Sequence, residues 1–304
     1  MLFRNLIIYS FTSPITLDAD TLEQAITAQR FQPCSSQEAE RLGWVAPLPQ
    51  GDTLVYANQG FYLLKARKQE KILPGQVVNE LLQERMDDFE AKQSRHPTRK
   101  EKQELKDQIT LELLPKAFSR HQHFWICLNP QRGWLVVDAS SHAKAEPLLN
   151  LLREALGSLP VIPPRVEKSP AAIMTAWLTD PSQQPNDLVL AQECELRAPE
   201  EDGGILRWRR QALEGEELES HLSAGKQAVR LGVHWQDSLS FTLCEDLTLK
   251  RLQASERLQD ELANDQSDNA QQEFDALFTL SALELARLLP AWISWFEGNL
   301  GPEH

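Results

Sequence analysis

VRLGVHWQDSLSFTLCEDLTLKRLQ (229–253) decides the fold class of this chain. Three runs rich in β-branched and aromatic residues are separated by the turn-forming triplets QDS and EDL, the pattern of three antiparallel strands in a meander. Just upstream, DLVLAQECEL and GGILRWRRQAL read as two more strands. They stand between the helical patterns SPAAIMTAWLTD and GEELESHLSAG. The segment therefore predicts an antiparallel sheet with helices packed on it.

The N-terminal half repeats the theme. LIIYSFT (6–12) reads as a strand, and LDADTLEQAITAQRF follows with Leu22, Ala25, Ile26 and Phe31 at helical intervals. WVAPL, TLVYANQ and FYLLKARK read as strands, with NQG as the turn between the last two, and FWICL and GWLVVDAS return as strands later. HAKAEPLLNLLREALGSLP is an amphipathic helix ended by Gly157 and Pro160, after which PVIPPR is a stiff connector. The fold class is α+β.

One segment differs in kind. Gly75 to Lys116 holds no β-branched run, only two helical patterns separated by SRHPT, the mark of an αα-hairpin. Val78, Leu82, Met86 and Phe89 form a stripe on the first helix, and Leu105, Ile109 and Leu113 on the second. Stripes this narrow cover each other and leave little apolar surface for other contacts, so the pair is expected to project as an arm. Thr98 followed by Glu101 predicts a capping box at the start of the second helix.

Composition bounds the partners. The chain has 304 residues with 31 Lys plus Arg against 44 Asp plus Glu, a formal charge of −13, so its field as a whole repels polyanions and any nucleic-acid contact has to be local. The N-terminus lacks the regions of a secretory signal, and no apolar run reads as a membrane span. Cys34, Cys127, Cys194 and Cys244 are dispersed without a CxxC pair, and are expected as buried thiols of a cytoplasmic protein.

Acid is concentrated in the last sixty residues, 245–304, with twelve Asp and Glu against four Lys and Arg. Within them SALELARLLPAWISWFEG predicts a helix with Ser281 and Glu284 as a second capping box, Pro290 as a kink and Gly298 as a terminator. Its Leu288, Leu289, Trp292, Trp295 and Phe296 make a broad apolar face suited to a dimer contact or to burial within one subunit.

Catalytic signatures such as GxSxG, HExxH, GxGxxG after a strand and a GK[ST] phosphate loop are absent from the sequence. His121 and His123 fall on one face of a strand, but with no third ligand they read as polar surface, and no metal or cofactor is expected. Asp138, at the end of WLVVDAS, suits either a magnesium-holding nuclease carboxylate or, more commonly, a turn-starting Asp.

Basic clusters occur at KARKQEK (65–71), RHPTRKEKQELK (95–106), PKAFSR (115–120) and RWRRQ (207–211). From Lys65 to His121 thirteen bases face ten acids, so most of these charges read as a solvated surface. In RWRRQ, strand alternation places Arg207, Arg209 and Gln211 on one face and Trp208 and Arg210 on the other. Two guanidiniums along one strand suit phosphate contacts; pairing with the acids of GEELES is the alternative.

EKILP (70–74), LLPKAFSR (113–120), GSLP (157–160), the EDGG–R–RRQ run (201–211) and PCSSQEAERLGWV (33–45) resemble the RdgC family of recombination-associated proteins, nearly end to end. The resemblance implies a nucleoid-associated, sequence-independent binder of double-stranded DNA. It also implies a ring-shaped homodimer that restrains RecA-promoted recombination, without catalysis. Family architecture implies residues 1–74 and 118–165 as a central domain, 75–117 as a helical tip, and 166–304 as a C-terminal α+β region holding the base and further central-domain strands.

By position, Phe118 matches the family aromatic associated with ring closure and DNA engagement, while Arg210 and Gln211 match a basic residue and a glutamine tied to DNA binding. Lys116, Arg120, Arg207, Arg209, Arg99, Lys100 and Lys102 are the further candidates for phosphate contact. Trp292, Trp295 and Phe296 join Phe118 as candidate dimer contacts. Two rivals remain: a regulator that binds the recombinase through the acidic C-terminal region, and a metal-dependent nuclease using Asp138.

Overall fold

The computed structural model describes residues 2–48, 50–200, 203–264 and 269–301. The chain opens with β1 (Ile7–Phe11), α1 (Ala19–Thr27), β2 (Glu40–Val45), β3 (Val55–Asn58) and β4 (Phe61–Lys71). The helices α2 (Gly75–Gln93) and α3 (Arg99–Leu113) follow, then a 3-10 turn (Leu114–Lys116), β5 (Ser119–Asn129), β6 (Trp134–Val137) and α4 (His142–Leu156). These strands form an antiparallel sheet in the order β2-β4-β5-β6-β1, with β3 also on β4 and the short β7 (Val161–Ile162) on β1.

After β8 (Arg165–Val166) and α5 (Pro170–Thr179) come β9 (Leu188–Arg197), β10 (Ile205–Arg209), α6 (Glu216–Ser223), β11 (Gln227–Trp235), β12 (Leu239–Cys244) and β13 (Leu249–Ala254). They build a second sheet in the order β10-β9-β11-β12-β13, with every pair antiparallel. The chain then runs through α7 (Glu256–Asn264), α8 (Ala270–Ser294) and β14 (Gly298–Asn299), which pairs with β8.

Turns follow their residues. Gln59 and Gly60 both have positive φ between the paired Asn58 and Phe61, and so do Gln236 and Asp237 between Trp235 and Ser238. Two left-handed residues in succession make the turn whose twist matches an antiparallel hairpin. The QDS and NQG turns of the sequence are these two.

The chain divides into two compact units. One comprises residues up to Ile26, Ala46–Leu64 and the chain from Trp125 onward; the other comprises Thr27–Val45 and Lys65–Phe124. In the first, Trp235, Phe241, Leu243, Phe278, Leu285, Leu288 and Trp292 share a single apolar core. Burying a side chain of this size is favourable by roughly 1.5–3 kcal/mol. The residue before β1 meets the second sheet, because Leu6 and Leu249 exchange backbone hydrogen bonds at 2.8 and 3.1 Å.

In the second unit α2 and α3 pack on each other through Val78, Leu82 and Ile109, with Leu73, Leu81, Met86, Leu105 and Leu113 partly buried around them. Phe89 stands apart from this cluster, and the Arg95 guanidinium lies over its ring at 5.1 Å. α2 ends where Ser94 turns left-handed and donates its N–H to Glu90. α3 starts with the full capping box of Thr98 and Glu101.

The second capping box is corrected. α8 begins eleven residues before Ser281, capped by Asn269, so Ser281 and Glu284 lie inside the helix. Ser281 is buried and its Oγ accepts the backbone N–H of Leu2 at 3.0 Å, while Glu284 accepts from Arg287 at 2.8 Å. Gly298 likewise belongs to β14, and the helix stops at Ser294.

By length and composition α8 is apolar enough to cross a membrane, contrary to the reading of the sequence. Its Phe278, Leu285, Leu289 and Trp292 are, however, in the core. The four cysteines are free, with Cys34 half-buried rather than buried.

Candidate nucleic-acid interface

β10 presents RWRRQ differently from simple alternation. Arg207 and Arg209 are exposed on one face and Trp208 is buried on the other, its Nε1–H donating to the carbonyl of Ala212 at 3.1 Å. The strand ends at Arg209. Arg210 then takes a left-handed backbone (φ 56°) and donates its N–H to Gln192 at 2.7 Å, so Gln211 does not continue the Arg207 face. Both Arg210 and Gln211 are exposed.

Arg207 does not pair with the acids of α6. The β10–β9 register sets it opposite Glu195, and its Nε donates to that buried carboxylate at 2.9 Å. Arg230 of β11, on the other side of Glu195, approaches the same oxygen at 3.5 Å. Arg209 lies opposite Glu193 and has no carboxylate partner among the described residues.

Cross-strand register adds cations that the sequence reading passed over. Arg207, Glu195, Arg230 and Cys244 form one row across the sheet, while Gly232, Thr242 and Lys250 lie in the row of Arg209 and Glu193. Arg251 follows Lys250 with a left-handed backbone (φ 57°) at an irregularity of the β12–β13 pairing. Such a bulge re-aims a side chain. Its guanidinium reaches the Glu193 carboxylate, and also donates to Thr242 Oγ1 at 2.6 Å. Cys244 apart, these residues line a groove of about 310 Å3. The alternating apolar positions of VRLGVH and LTLKRLQ already put Arg230 and Lys250 on the polar face, a signal available in the sequence.

Asp138 braces this surface from behind. Its two oxygens accept the backbone N–H groups of Asn5 (2.7 Å) and Arg4 (3.2 Å), while the Asn5 side-chain oxygen accepts the N–H of Arg251 at 3.3 Å. Burial raises its pKa, and the two N–H donors oppose that shift. No group of three metal-ligating side chains occurs among the described residues.

In the second unit, Phe118 is 85% exposed, and its carbonyl accepts the N–H of Ile72 at 2.7 Å. Lys116 is exposed at the end of the 3-10 turn. Arg120 is held by Glu70 through two hydrogen bonds of 2.9 and 2.8 Å. Arg99 and Lys102 line a cleft between α2 and α3 with Lys106, while Lys100 approaches Glu104 at 3.9 Å. His123 accepts from Arg67 Nε at 3.0 Å; burial and neighbouring cations lower its pKa.

Two candidate dimer contacts are withdrawn. Trp292 and Phe296 are 0% and 1% exposed within the core of their own chain, and Trp295 is half-buried with its ring 6.2 Å from that of Trp177. The broad apolar face is covered by the chain itself. Of the acidic C-terminal residues, Glu245 pairs with Arg197 and Glu297 with Lys168, Asp275 accepts from Tyr56, and positions 265, 268 and 303 lie outside the described residues.

A family model described as "Putative exonuclease, RdgC" matches residues 1–299. The chain is 43% identical over 305 residues to the recombination-associated protein RdgC of Pseudomonas aeruginosa PAO1, covering 100% of this chain and 99% of that relative. The recombination-associated protein RdgC of Pseudomonas syringae pv. syringae is 44% identical over 305 residues, with the same two shares covered. That of Tolumonas auensis is 42% identical over 300 residues, covering 98% and 99%.

Proposed function

Because the chain belongs to the RdgC family of recombination-associated proteins, we propose that it binds double-stranded DNA without sequence preference. In this reading it closes as a homodimeric ring around the duplex and so restrains RecA-promoted recombination at the nucleoid. The observation that carries the reading is the end of β10, where Arg207, Arg209, Arg210 and Gln211 all stand exposed around the buried anchor Trp208.

Guanidiniums suit phosphate oxygens by charge and by their planar fork of donors. With such contacts the chain gains affinity from counterion release, which is indifferent to base sequence. A local surplus of cations also reconciles DNA binding with the net charge of −13. Phe118, exposed beside Lys116, has the character of an aromatic anchor for the partner subunit.

The test is binding of two unrelated duplexes by wild type and Arg210→Ala over a series of salt concentrations. The reading requires equal affinity for both duplexes in the wild type, and weaker, less salt-dependent binding in the variant. A strongly preferred sequence, or a variant indistinguishable from wild type, contradicts it.

A further inference from the structure

We propose that the groove over Gly232 is a phosphodiester-binding site in its own right, with Arg209 on one rim, Lys250 and Arg251 on the other, and Arg230 between them. It rests on the DNA-binding reading and adds residues and a geometry that the reading does not contain.

The floor of the groove is set by the absence of a side chain. A Cβ at position 232 would lie 2.5 Å from Glu193 Cγ, so only glycine lets the Glu193 side chain lie across β11. Glu193 there accepts from Arg251 and, at 3.2 Å, from Thr242 Oγ1, while Glu195 holds Arg207 and Arg230. Three cations thus engage the two carboxylates.

The carboxylates position the guanidiniums without covering them. The side chains of Arg207, Arg230 and Arg251 remain 60%, 46% and 54% exposed. Each guanidinium has five N–H donors, and its acid uses only one or two. Arg209 and Lys250 have no carboxylate partner among the described residues. The groove therefore offers pre-oriented donors together with two uncommitted charges, and pre-orientation lowers the entropic cost of binding an anion.

The dimensions select the ligand. Arg209 on β10 and Lys250 on β13 are four strand spacings apart, about 19 Å, and the two rows of polar side chains lie about 7 Å apart along the strands. A single phosphate fills only part of that span. A nucleic-acid strand, which carries a charge every 3.4 Å or so along the duplex axis, presents several phosphates over that span.

Arg251, which lines the groove, has a left-handed backbone. A non-glycine residue in this region is strained, and such strain persists where the surroundings enforce it, often at binding sites.

The experiment compares wild type with the double variant Arg209→Ala/Lys250→Ala by fluorescence anisotropy with an unrelated duplex, at several salt concentrations. Inorganic phosphate is added as a competitor in a parallel arm. Neither substitution strands a buried acid, so unfolding midpoints should match. The expected result is at least a tenfold loss of affinity at moderate salt and a log–log salt slope shallower by about 1.8, two contacts at about 0.9 each.

Arg251→Gly, which relieves the left-handed backbone, should likewise fold and bind less tightly. A folded double variant with wild-type affinity and slope overturns the site while leaving the DNA reading intact. Wild type that binds no duplex at low salt overturns both, and millimolar phosphate that displaces the duplex while sparing salt controls overturns the multi-phosphate geometry.

Discussion

Arg207 and Glu195 face each other across the β10–β9 register, and the Arg207 Nε–H donates to the Glu195 carboxylate at 2.9 Å. Glu195 is 6% exposed, so its carboxylate relies for hydrogen bonds on this donor and on Arg230, which is farther away at 3.5 Å. A surface arginine and a buried acid thereby tie the binding face to the stability of the sheet.

Arg207→Ala should destabilise the fold by about 1–3 kcal/mol, because it leaves a buried acceptor short of its better donor. Arg209→Ala, one pair further along the same strand, should stay within about 0.5 kcal/mol of wild type. Urea unfolding of the two variants checks the contrast, and equal effects would show that Glu195 does not depend on Arg207.

Thr98→Ala should destabilise the α2–α3 pair by about 1 kcal/mol through loss of the cap. Glu101 extends this to pH. The Arg95 guanidinium, then the Thr98 backbone N–H and hydroxyl, hold its pKa down at about 2. A carboxylate whose folded pKa is depressed contributes stability that is present above its unfolded range, ~4.3, and is lost as pH falls toward 2. Thermal melts between pH 5 and pH 2 should fall less steeply in Glu101→Gln than in wild type, and identical slopes would contradict the assignment.

The two capping motifs show what a sequence can and cannot reveal. Thr98 and Glu101 are legible because every partner lies within four residues. Ser281 and Glu284 have the same spacing and hydroxyl-then-acid pattern, yet α8 runs through them and Ser281 bonds to Leu2, 279 residues away. Strand positions follow from alternation, so the antiparallel meander of 229–253 was readable. Partners across strands were not, because Glu195 and Arg207 meet through a register that only the folded sheet fixes. The left-handed turns at Arg210, just past the end of β10, and at Arg251, in the groove, interrupt alternation there.

Phe118→Ala should leave monomer stability unchanged, since a side chain 85% exposed contributes little to its own core. In the proposed ring it should weaken self-association, with a loss on the order of 2 kcal/mol if Phe118 is an anchor. Sedimentation velocity over a concentration series measures both, and an equally tight dimer would remove Phe118 from the interface.

Asp138→Asn should destabilise by about 1–3 kcal/mol, because an amide keeps one acceptor oxygen for two backbone N–H donors. It should also weaken DNA binding modestly, through Asn5 and the Arg251 backbone. Incubation of wild type and variant with DNA and magnesium or manganese separates this role from catalysis. Metal-dependent degradation by wild type that the variant lacks would favour the nuclease reading.

The most direct measurement is the salt dependence of wild-type binding to unrelated duplexes, set beside that of Arg209→Ala/Lys250→Ala. The account expects one steep slope shared by every duplex and a shallower slope in the variant. Binding that ignores salt, or a slope that the two substitutions leave unchanged, would contradict it.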